Sequence, residues 1–135
     1  NYTRQVATHY KGRIAAYELW NEPWARAFWA GTPERYAEIA KAAGATVREA
    51  DPAARVVGGC FWVPQPTFTD RVLAKGLLPA VDAVSYHQYT QPDTVAFRFA
   101  GQDQVTQWHR ALRGKVDLAG GQRAEIWNTE GGVAS

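Results

Sequence analysis

The chain contains no methionine and a single cysteine, Cys60. One cysteine permits neither an internal disulfide nor a cysteine-based zinc site. Apolar runs are only a few residues long, whereas a membrane-spanning helix needs about 20 consecutive apolar residues. The sequence therefore predicts no membrane span in this chain and leaves its cellular compartment unknown.

Neither basic nor acidic residues predominate in the sequence. The 15 basic and 13 acidic residues are scattered along the chain, and the formal net charge is +2. Proteins that bind nucleic acid or anionic membranes carry a basic patch, so we expect no nucleic-acid partner. With 46% hydrophobic and 13% aromatic residues, the chain has enough apolar side chains for a core and enough rings for a recognition surface.

Strand-like and helical segments alternate along the sequence. Strands are predicted at 13–21, 55–59, 83–87 and 125–129, and helices at the start of the chain, over 33–50, over 69–75 and from about Val105 to a stop at Gly114. Such alternation indicates parallel strands joined by right-handed crossovers. The strand ends recur at close to the roughly 31 residues per unit of an eight-unit barrel of about 250 residues.

The predicted fold class is therefore α/β, a partial (β/α)8 TIM barrel. We expect residues 1–135 to be a piece of a longer polypeptide and a fragment of one such catalytic domain. A doubly wound sheet fits the alternation too. However, no Gly-x-Gly-x-x-Gly or Gly-x-x-x-x-Gly-Lys motif follows any strand, so nucleotide binding has no support.

Two glutamates occupy the carboxyl ends of predicted strands. Glu22 follows the first strand in Trp-Asn-Glu-Pro, and Glu130 follows the fourth in Trp-Asn-Thr-Glu-Gly-Gly. Parallel barrels place their reactive groups at that rim. Two carboxyl groups about 5 to 5.5 Å apart are suited to glycoside hydrolysis with retention of configuration. We expect these two side chains to face each other over one pocket.

Three motifs resemble glycoside hydrolase clan A. Asn21-Glu22-Pro23, His87-Gln88-Tyr89 and Thr129-Glu130-Gly131 are similar to the fourth, sixth and seventh strand ends of that clan, so the chain would cover about strands 4 to 7. Residues 17–23 and 51–59 are most similar to family 39, while the His-x-Tyr also resembles family 5. The resemblance spans nearly the whole chain.

The resemblance implies a role for each strand-end residue. Glu22 would be the acid/base, Glu130 the nucleophile, and Asn21 the donor to the sugar hydroxyl beside the anomeric carbon. A nucleophile must stay ionised, whereas an acid must hold a proton and later act as the base that activates water. The reaction would need no cofactor and no metal.

Other residues would hold the substrate. His87 and Tyr89 would hydrogen-bond the nucleophile or the sugar, and Trp24 and Trp62, together with Phe61, would offer flat faces to sugar rings. The implied substrate is a β-linked oligosaccharide or polysaccharide. Since polysaccharides lie outside cells, the resemblance also makes secretion plausible.

Several simpler interpretations compete with this one. A glutamate at a strand end is ordinarily a solvated surface residue, and His87 could be a hydrogen-bonded structural histidine. Packing is expected for Cys60, and pairing or packing for the strand glutamates Glu18 and Glu125. Core or interlayer packing is the better interpretation of three tryptophans, Trp20, Trp108 and Trp127.

Four other functions compete with a glycosidase. A metal site lacks close ligand spacing, because His9 and His109 lie on predicted helices far from the rim. A serine hydrolase lacks the Gly-x-Ser-x-Gly motif. A carbohydrate-binding barrel without activity, and an inactive scaffold fragment, remain the alternatives to a glycosidase.

Overall fold

The computed structural model describes residues 2–90 and 95–133. The elements in chain order are α1 (Tyr2–His9), β1 (Ala16–Glu18), α2 (Pro33–Ala50), β2 (Arg55–Phe61), α3 (Pro66–Ala74), a short 3-10 turn (Leu78–Ala80), β3 (Ala83–Thr90), α4 (Val95–Leu118) and β4 (Glu125–Val133). The strands form one sheet in the order β1-β2-β3-β4, and each neighbouring pair is parallel. This half-barrel confirms the predicted partial (β/α)8 fold.

Helix α2 shows how closely local signals can specify an element. The Thr32 hydroxyl accepts a hydrogen bond from the backbone N–H of Arg35 at 3.2 Å, and Pro33 occupies the first helical position. At the other end, the N–H of Asp51 donates to the carbonyl of Val47 at 2.8 Å. Both predicted ends of this helix are confirmed.

The core lies between the sheet and the helices that cover its outer face. Val56, Phe61 and Val84 contribute from the strands, and Val47 and Leu112 from α2 and α4, all of them nearly or completely inaccessible to solvent. Phe61 is therefore a core residue, and the prediction that it offers a face to sugar rings is wrong. Full burial of side chains of this size stabilises the fold by roughly 1.5–3 kcal/mol each relative to exposure. The carboxyl-end loops are therefore carried on a rigid, packed layer.

All four strands differ in length from the predicted ones. β1 is only three residues long, β2 continues to Phe61, and β3 continues through Tyr89 to Thr90. β4 continues past the predicted end at residue 129, through Gly131 and Gly132. The absence of side chains there lets the strands approach closely, since a Cβ on Gly131 would lie 2.7 Å from the carbonyl oxygen of Gln88.

The bounds of α3 and α4 also differ, and α4 begins at Val95 and not at about Val105. α4 passes through Gly114 and ends at Leu118, because a glycine stops a helix mainly where it adopts positive φ, as Gly120 does at 86°. α3 begins at Pro66, earlier than predicted, since proline is well tolerated in the first turn. No helix in the described part of the chain combines the length and apolarity needed to cross a bilayer.

Among the tryptophans, Trp20 is not a core residue. It is 42% exposed and packs edge-to-face on Trp29, with ring centroids 5.5 Å apart. Trp127 is half-buried, donates to the Glu125 carboxylate at 2.8 Å and lies under the Arg55 guanidinium. Because β1 and β4 are the outer strands of the described sheet, aromatic rings near its edges pack less completely than in its centre.

Gly44 in the middle of α2 is explained by close packing. A Cβ at this position would lie 2.8 Å from the carbonyl oxygen of Ala80 and 3.3 Å from a methyl group of Val56. Gly114 in α4 has no atom within 4 Å of the equivalent point. Both glycines lie inside helices, but only Gly44 is closely packed, so a substitution at Gly114 serves as the control for one at Gly44.

We predict opposite effects of alanine at the two glycines. Gly44→Ala should lower the free energy of unfolding by about 1–3 kcal/mol, because the backbone of Ala80 must move. Gly114→Ala should raise it by up to about 1 kcal/mol through helix propensity alone. Urea unfolding of both variants measures the difference, and equal midpoints for the two would show that Gly44 is not needed for packing.

Candidate active site

Three polar side chains meet at the carboxyl end of the sheet. Glu22 follows β1, while His87 of β3 and Glu130 of β4 are register partners across the parallel β3–β4 pair. One oxygen from each glutamate and one ring nitrogen of His87 all lie within 4.8 Å of one another. Parallel strands end at one edge, which is why residues so distant in the sequence converge.

His87 lies between the two carboxylates. Its Nδ1 is 2.9 Å from Oε1 of Glu22 and 3.7 Å from Oε2 of Glu130. The side chain of His87 is only 3% exposed, that of Glu22 is 16% exposed, and that of Glu130 is 48% exposed. Solvent exposure therefore increases across the site, from the imidazole of His87 through Glu22 to Glu130.

Glu130 has a second partner on the neighbouring strand. The hydroxyl of Tyr89 donates to Oε1 of Glu130, and this hydrogen bond is the main reason that the pKa of Tyr89 lies above its usual value. One residue earlier, the Thr129 hydroxyl donates to Oε1 of Glu18 at 3.0 Å. Glu18 is therefore a pairing partner, as predicted, and β4 is held to β1 across the inner face of the sheet.

Cys60 of β2 is buried and contacts both Glu22 and His87. These contacts were not predicted from the sequence. The sulfur of Cys60 accepts the backbone N–H of Glu22 at 3.0 Å and lies 3.2 Å from Nε2 of His87. Its own N–H donates to the Ser85 hydroxyl at 2.9 Å. Burial raises the pKa of the Cys60 thiol to about 12, so the sulfur keeps its proton at neutral pH.

A β-bulge brings the cysteine to this position. The register between β2 and β3 shifts between Gly58 and Phe61, and Cys60 adopts a φ of 45°. Glu22, to which its sulfur is hydrogen-bonded, also has a left-handed φ, at 42°. Such conformations cost a non-glycine residue roughly 1–3 kcal/mol and are concentrated at functional sites. The Gly58-Gly59 pair was the available signal, since glycines within a strand often mark a bulge.

Three tryptophans form an aromatic cluster beside the site. Trp24 and Trp62 stack with ring centroids 5.4 Å apart and an interplanar angle of 24°, and Trp108 of α4 meets Trp62 edge-on at 4.9 Å. Trp108 thus packs between layers, as predicted. The Nε1 of Trp24 is buried without a hydrogen-bond partner.

Asn21 lies next to Glu22 in the sequence and is exposed to solvent.

Two groups of side chains in the described residues have donor atoms close enough to hold a metal ion. Both include His87, one with Glu22 and Glu130 and the other with Glu18 and Cys60. In these groups His87 contacts Cys60 and Glu22, whereas Glu18 accepts a hydrogen bond from Thr129 and Glu130 accepts one from Tyr89. His9 and His109 lie on α1 and α4, outside both groups.

Cavities lie at both ends of the strands. One of about 420 Å³ at the carboxyl end is lined by Gln88, Thr129 and Glu130 among others. A larger one, of about 510 Å³, lies near Arg55 and Asp82 at the amino-terminal end. Since that end of a parallel barrel mainly serves stability, we place the candidate site at the end that holds the carboxylates, although its cavity is the smaller one.

The sequence matches no protein-family model and no curated protein. Solved structures do match in fold. They include an arabinofuranosidase (TM-score 0.77, 22% identity, 98% of this chain and 29% of that chain), a glucosidase from Croceicoccus marinus (0.71, 21%, 98% and 30%) and an α-L-arabinofuranosidase from Thermotoga maritima in complex with arabinose (0.64, 24%, 86% and 24%). This chain therefore spans less than a third of each of these proteins, and it shares with them the fold of the region that it covers.

The buried thiol predicts slow alkylation of Cys60. Thiolates are the reactive form, and an ordinary cysteine has a pKa near 8.5. At pH 9 the folded protein should therefore react with iodoacetamide at Cys60 roughly 10²–10³-fold more slowly than the urea-unfolded protein, as followed by peptide mass mapping. Folded and unfolded rates within tenfold of each other would show that the thiol is not enclosed.

The same pKa shift affects stability. Because the folded state holds the thiol proton more tightly, this group's contribution to the free energy of unfolding is complete below about pH 8.5. It is lost progressively as the pH rises toward the folded pKa of about 12.

Proposed function

We propose that the protein to which this chain belongs is a glycosidase that acts with retention of configuration by double displacement. The observation that carries the proposal is the approach of the Glu22 and Glu130 carboxylates, which have oxygens within 4.8 Å of each other. Retaining enzymes hold their carboxyl groups about 5–5.5 Å apart, whereas inverting enzymes leave about 6.5–9.5 Å for a water molecule. An oxygen–oxygen approach within 4.8 Å is closer to the spacing of retaining enzymes than to that of inverting ones, and this supports the proposal.

In the first step, a carboxylate oxygen of Glu130 attacks the anomeric carbon. The bond from that carbon to the leaving-group oxygen breaks, and Glu22 donates its proton to this oxygen. In the second step, Glu22 removes a proton from water, the water oxygen bonds to the anomeric carbon, and the Glu130 carboxylate is released. Each glutamate ends in its starting protonation state.

The surroundings of the two glutamates support this division of roles. The Tyr89 hydroxyl donates to Glu130, and such a hydrogen bond stabilises a carboxylate anion, as a nucleophile requires. Glu22 is the more enclosed of the two and is held by His87. A general acid needs a fixed direction toward the leaving oxygen, and the contact with His87 supplies one.

We further propose which residues hold the sugar. Asn21, adjacent to Glu22, would donate to the hydroxyl beside the anomeric carbon, and Tyr89 would border the same subsite. Trp24 and Trp62 would form the wall for further sugar rings. Although stacked on each other, both are only partly buried and thus retain exposed ring surface. His87 would act through the carboxylates, because its side chain is almost completely buried.

The substrate that we propose is a β-linked oligosaccharide or polysaccharide. The structural neighbours include α-L-arabinofuranosidases and a glucosidase, so an α-L-arabinofuranoside is the second candidate. Since the chain covers only part of each neighbour, we propose that residues 1–135 belong to a single (β/α)8 catalytic domain whose other strands complete the subsites.

Azide should distinguish the roles of the two glutamates in the complete protein. With an activated aryl glycoside, Glu22→Ala should form the glycosyl-enzyme but lose its base, so azide should rescue turnover and yield a glycosyl azide of retained configuration. In Glu130→Ala, azide should occupy the space of the carboxylate and yield the inverted azide. Without azide, we expect Glu22→Ala to be slower than wild type by roughly 10²–10⁴-fold.

Glu125→Ala is the matched control, because Glu125 lies on the same strand as Glu130 but at its other end, paired with Arg55. The substrate set should include aryl β-D-glucosides, β-D-xylosides and α-L-arabinofuranosides. Rescue with the same stereochemistry in both variants would contradict the assignment. Binding of oligosaccharide without any turnover would instead favour a carbohydrate-binding barrel, and neither binding nor turnover would favour a scaffold.

A further inference from the structure

We propose that Thr129 is a positioning residue for Glu130. It is the extra residue of a β-bulge in β4, and its hydrogen bond to Glu18 of β1 holds this bulge in place. This inference rests on the proposed function, in which Glu130 is the nucleophile. Thr129 acts through the placement of Glu130 and takes no part in the reaction itself.

The bulge follows from the pairing of β4 with β3. Asn128 lies opposite Tyr86, whereas Glu130 lies opposite His87, which is the next residue of β3. Two steps along β4 therefore correspond to one step along β3, and Thr129 is the additional residue between the two pairs. An extra residue in one strand of a pair bends that strand locally and changes the direction of its side chains.

The bulge decides which face of the sheet Glu130 occupies. Successive side chains of a strand point to opposite faces, and a shift of one residue in the pairing reverses them. In a regular strand, Thr129 would lie opposite His87 and Glu130 would lie opposite Gln88. His87 faces Glu22 on the inner side of the sheet, so the side chain of Glu130 would then point away from Glu22.

The observed contacts place two consecutive side chains on the inner face. The Thr129 hydroxyl donates to Oε1 of Glu18 at 3.0 Å. Glu130 accepts a hydrogen bond from the Tyr89 hydroxyl and lies 3.7 Å from Nδ1 of His87. Neighbouring residues of a regular strand cannot both face the same side. The bulge is therefore what allows Thr129 to be anchored while Glu130 still faces the site.

Two side chains anchor the bulge. Glu18 lies on β1, which is itself paired with β2, and a carboxylate is a strong acceptor for the Thr129 hydroxyl. The amide of Asn128, with its nitrogen oriented by its hydrogen-bond partners, donates to the backbone carbonyls of Glu130 at 2.8 Å and Tyr86 at 3.2 Å. Because the second anchor would remain, loss of the Thr129 hydroxyl should loosen the bulge without abolishing it.

Thr129→Val removes the hydroxyl while keeping the shape of the side chain, and Thr129→Ser keeps the hydroxyl. In the complete protein, Thr129→Val should lower kcat/KM by about 10–100-fold, the effect of displacing a reacting group by about 1 Å, and Thr129→Ser should restore it. The loss should be equal for activated and poor leaving groups, because both need attack by Glu130. A wild-type kcat/KM in Thr129→Val would overturn the proposal.

Azide separates positioning of Glu130 from support of the whole site. In Glu130→Ala, azide replaces the carboxylate as nucleophile, so turnover no longer depends on where Glu130 is held. Adding Thr129→Val to Glu130→Ala should therefore leave the azide-dependent rate unchanged. If the added substitution lowers this rate as much as Thr129→Val lowers that of the otherwise wild-type protein, Thr129 supports the site in general and the proposal is wrong.

Substitutions of Glu18 test the same hydrogen bond from its other end, and they decide the question if Thr129→Val does not fold. Glu18→Leu removes the acceptor and should reproduce the loss, whereas Glu18→Gln keeps an acceptor oxygen and should not. Combining Glu18→Leu with Thr129→Val should cause no further loss, and additive losses would contradict the pairing. Thr46→Val is the matched control, because the Thr46 hydroxyl bonds only within α2, to the carbonyl of Ala42 at 2.9 Å. Its kcat/KM should be that of wild type.

The two proposals fail in different ways. If azide shows that Glu130 is not the nucleophile, the proposed function falls, and a crystal structure of Thr129→Val still shows whether loss of the hydroxyl displaces Glu130. If Glu130 is the nucleophile but Thr129→Val and Glu18→Leu retain the wild-type rate, the proposed function stands and the role of Thr129 falls.

Discussion

The contact on which the site depends is that of one buried imidazole with two carboxylates. The Nδ1 of His87 is 2.9 Å from Oε1 of Glu22 and 3.7 Å from Oε2 of Glu130, so one ring contacts two carboxyl groups whose oxygens lie within 4.8 Å of each other. This contact requires β1, β3 and β4 to be parallel and to end at the same edge. The packed outer face, with its closely approaching α2, holds them in that order.

The imidazole of His87 contacts the buried Cys60 of β2. The backbone conformation around this contact has an energetic cost. Glu22 and Cys60 both have left-handed backbone conformations, and the hydrogen bond from one to the sulfur of the other connects the two strained positions. Neither conformation would persist in an isolated loop, because each costs roughly 1–3 kcal/mol. The buried β2 strand and the Ser85 hydroxyl keep them in place, so local strain and core packing are parts of one arrangement.

Structural features that depend on residues nearby in the sequence could be predicted. Features that depend on contacts between residues far apart in the sequence could not. The caps of α2, the parallel order and the placement of Glu22 and Glu130 toward the carboxyl end of the sheet follow from short-range chemistry and from connection lengths. The bulge at Cys60, the extension of β4 through its two glycines and the exposure of Trp20 depend on which strand or ring lies opposite. Gly114 illustrates the limit, since only its backbone dihedrals decide whether it ends a helix.

The stereochemistry of hydrolysis tests the central claim most directly. Proton NMR of the complete protein acting on an aryl glycoside, recorded before the free sugar mutarotates, identifies the first anomer released. Carboxylates with oxygens within 4.8 Å of each other predict that this anomer has the configuration of the substrate. Release of the opposite anomer would mean that water attacks directly, and the pairing of Glu22 with Glu130 as acid/base and nucleophile would be wrong.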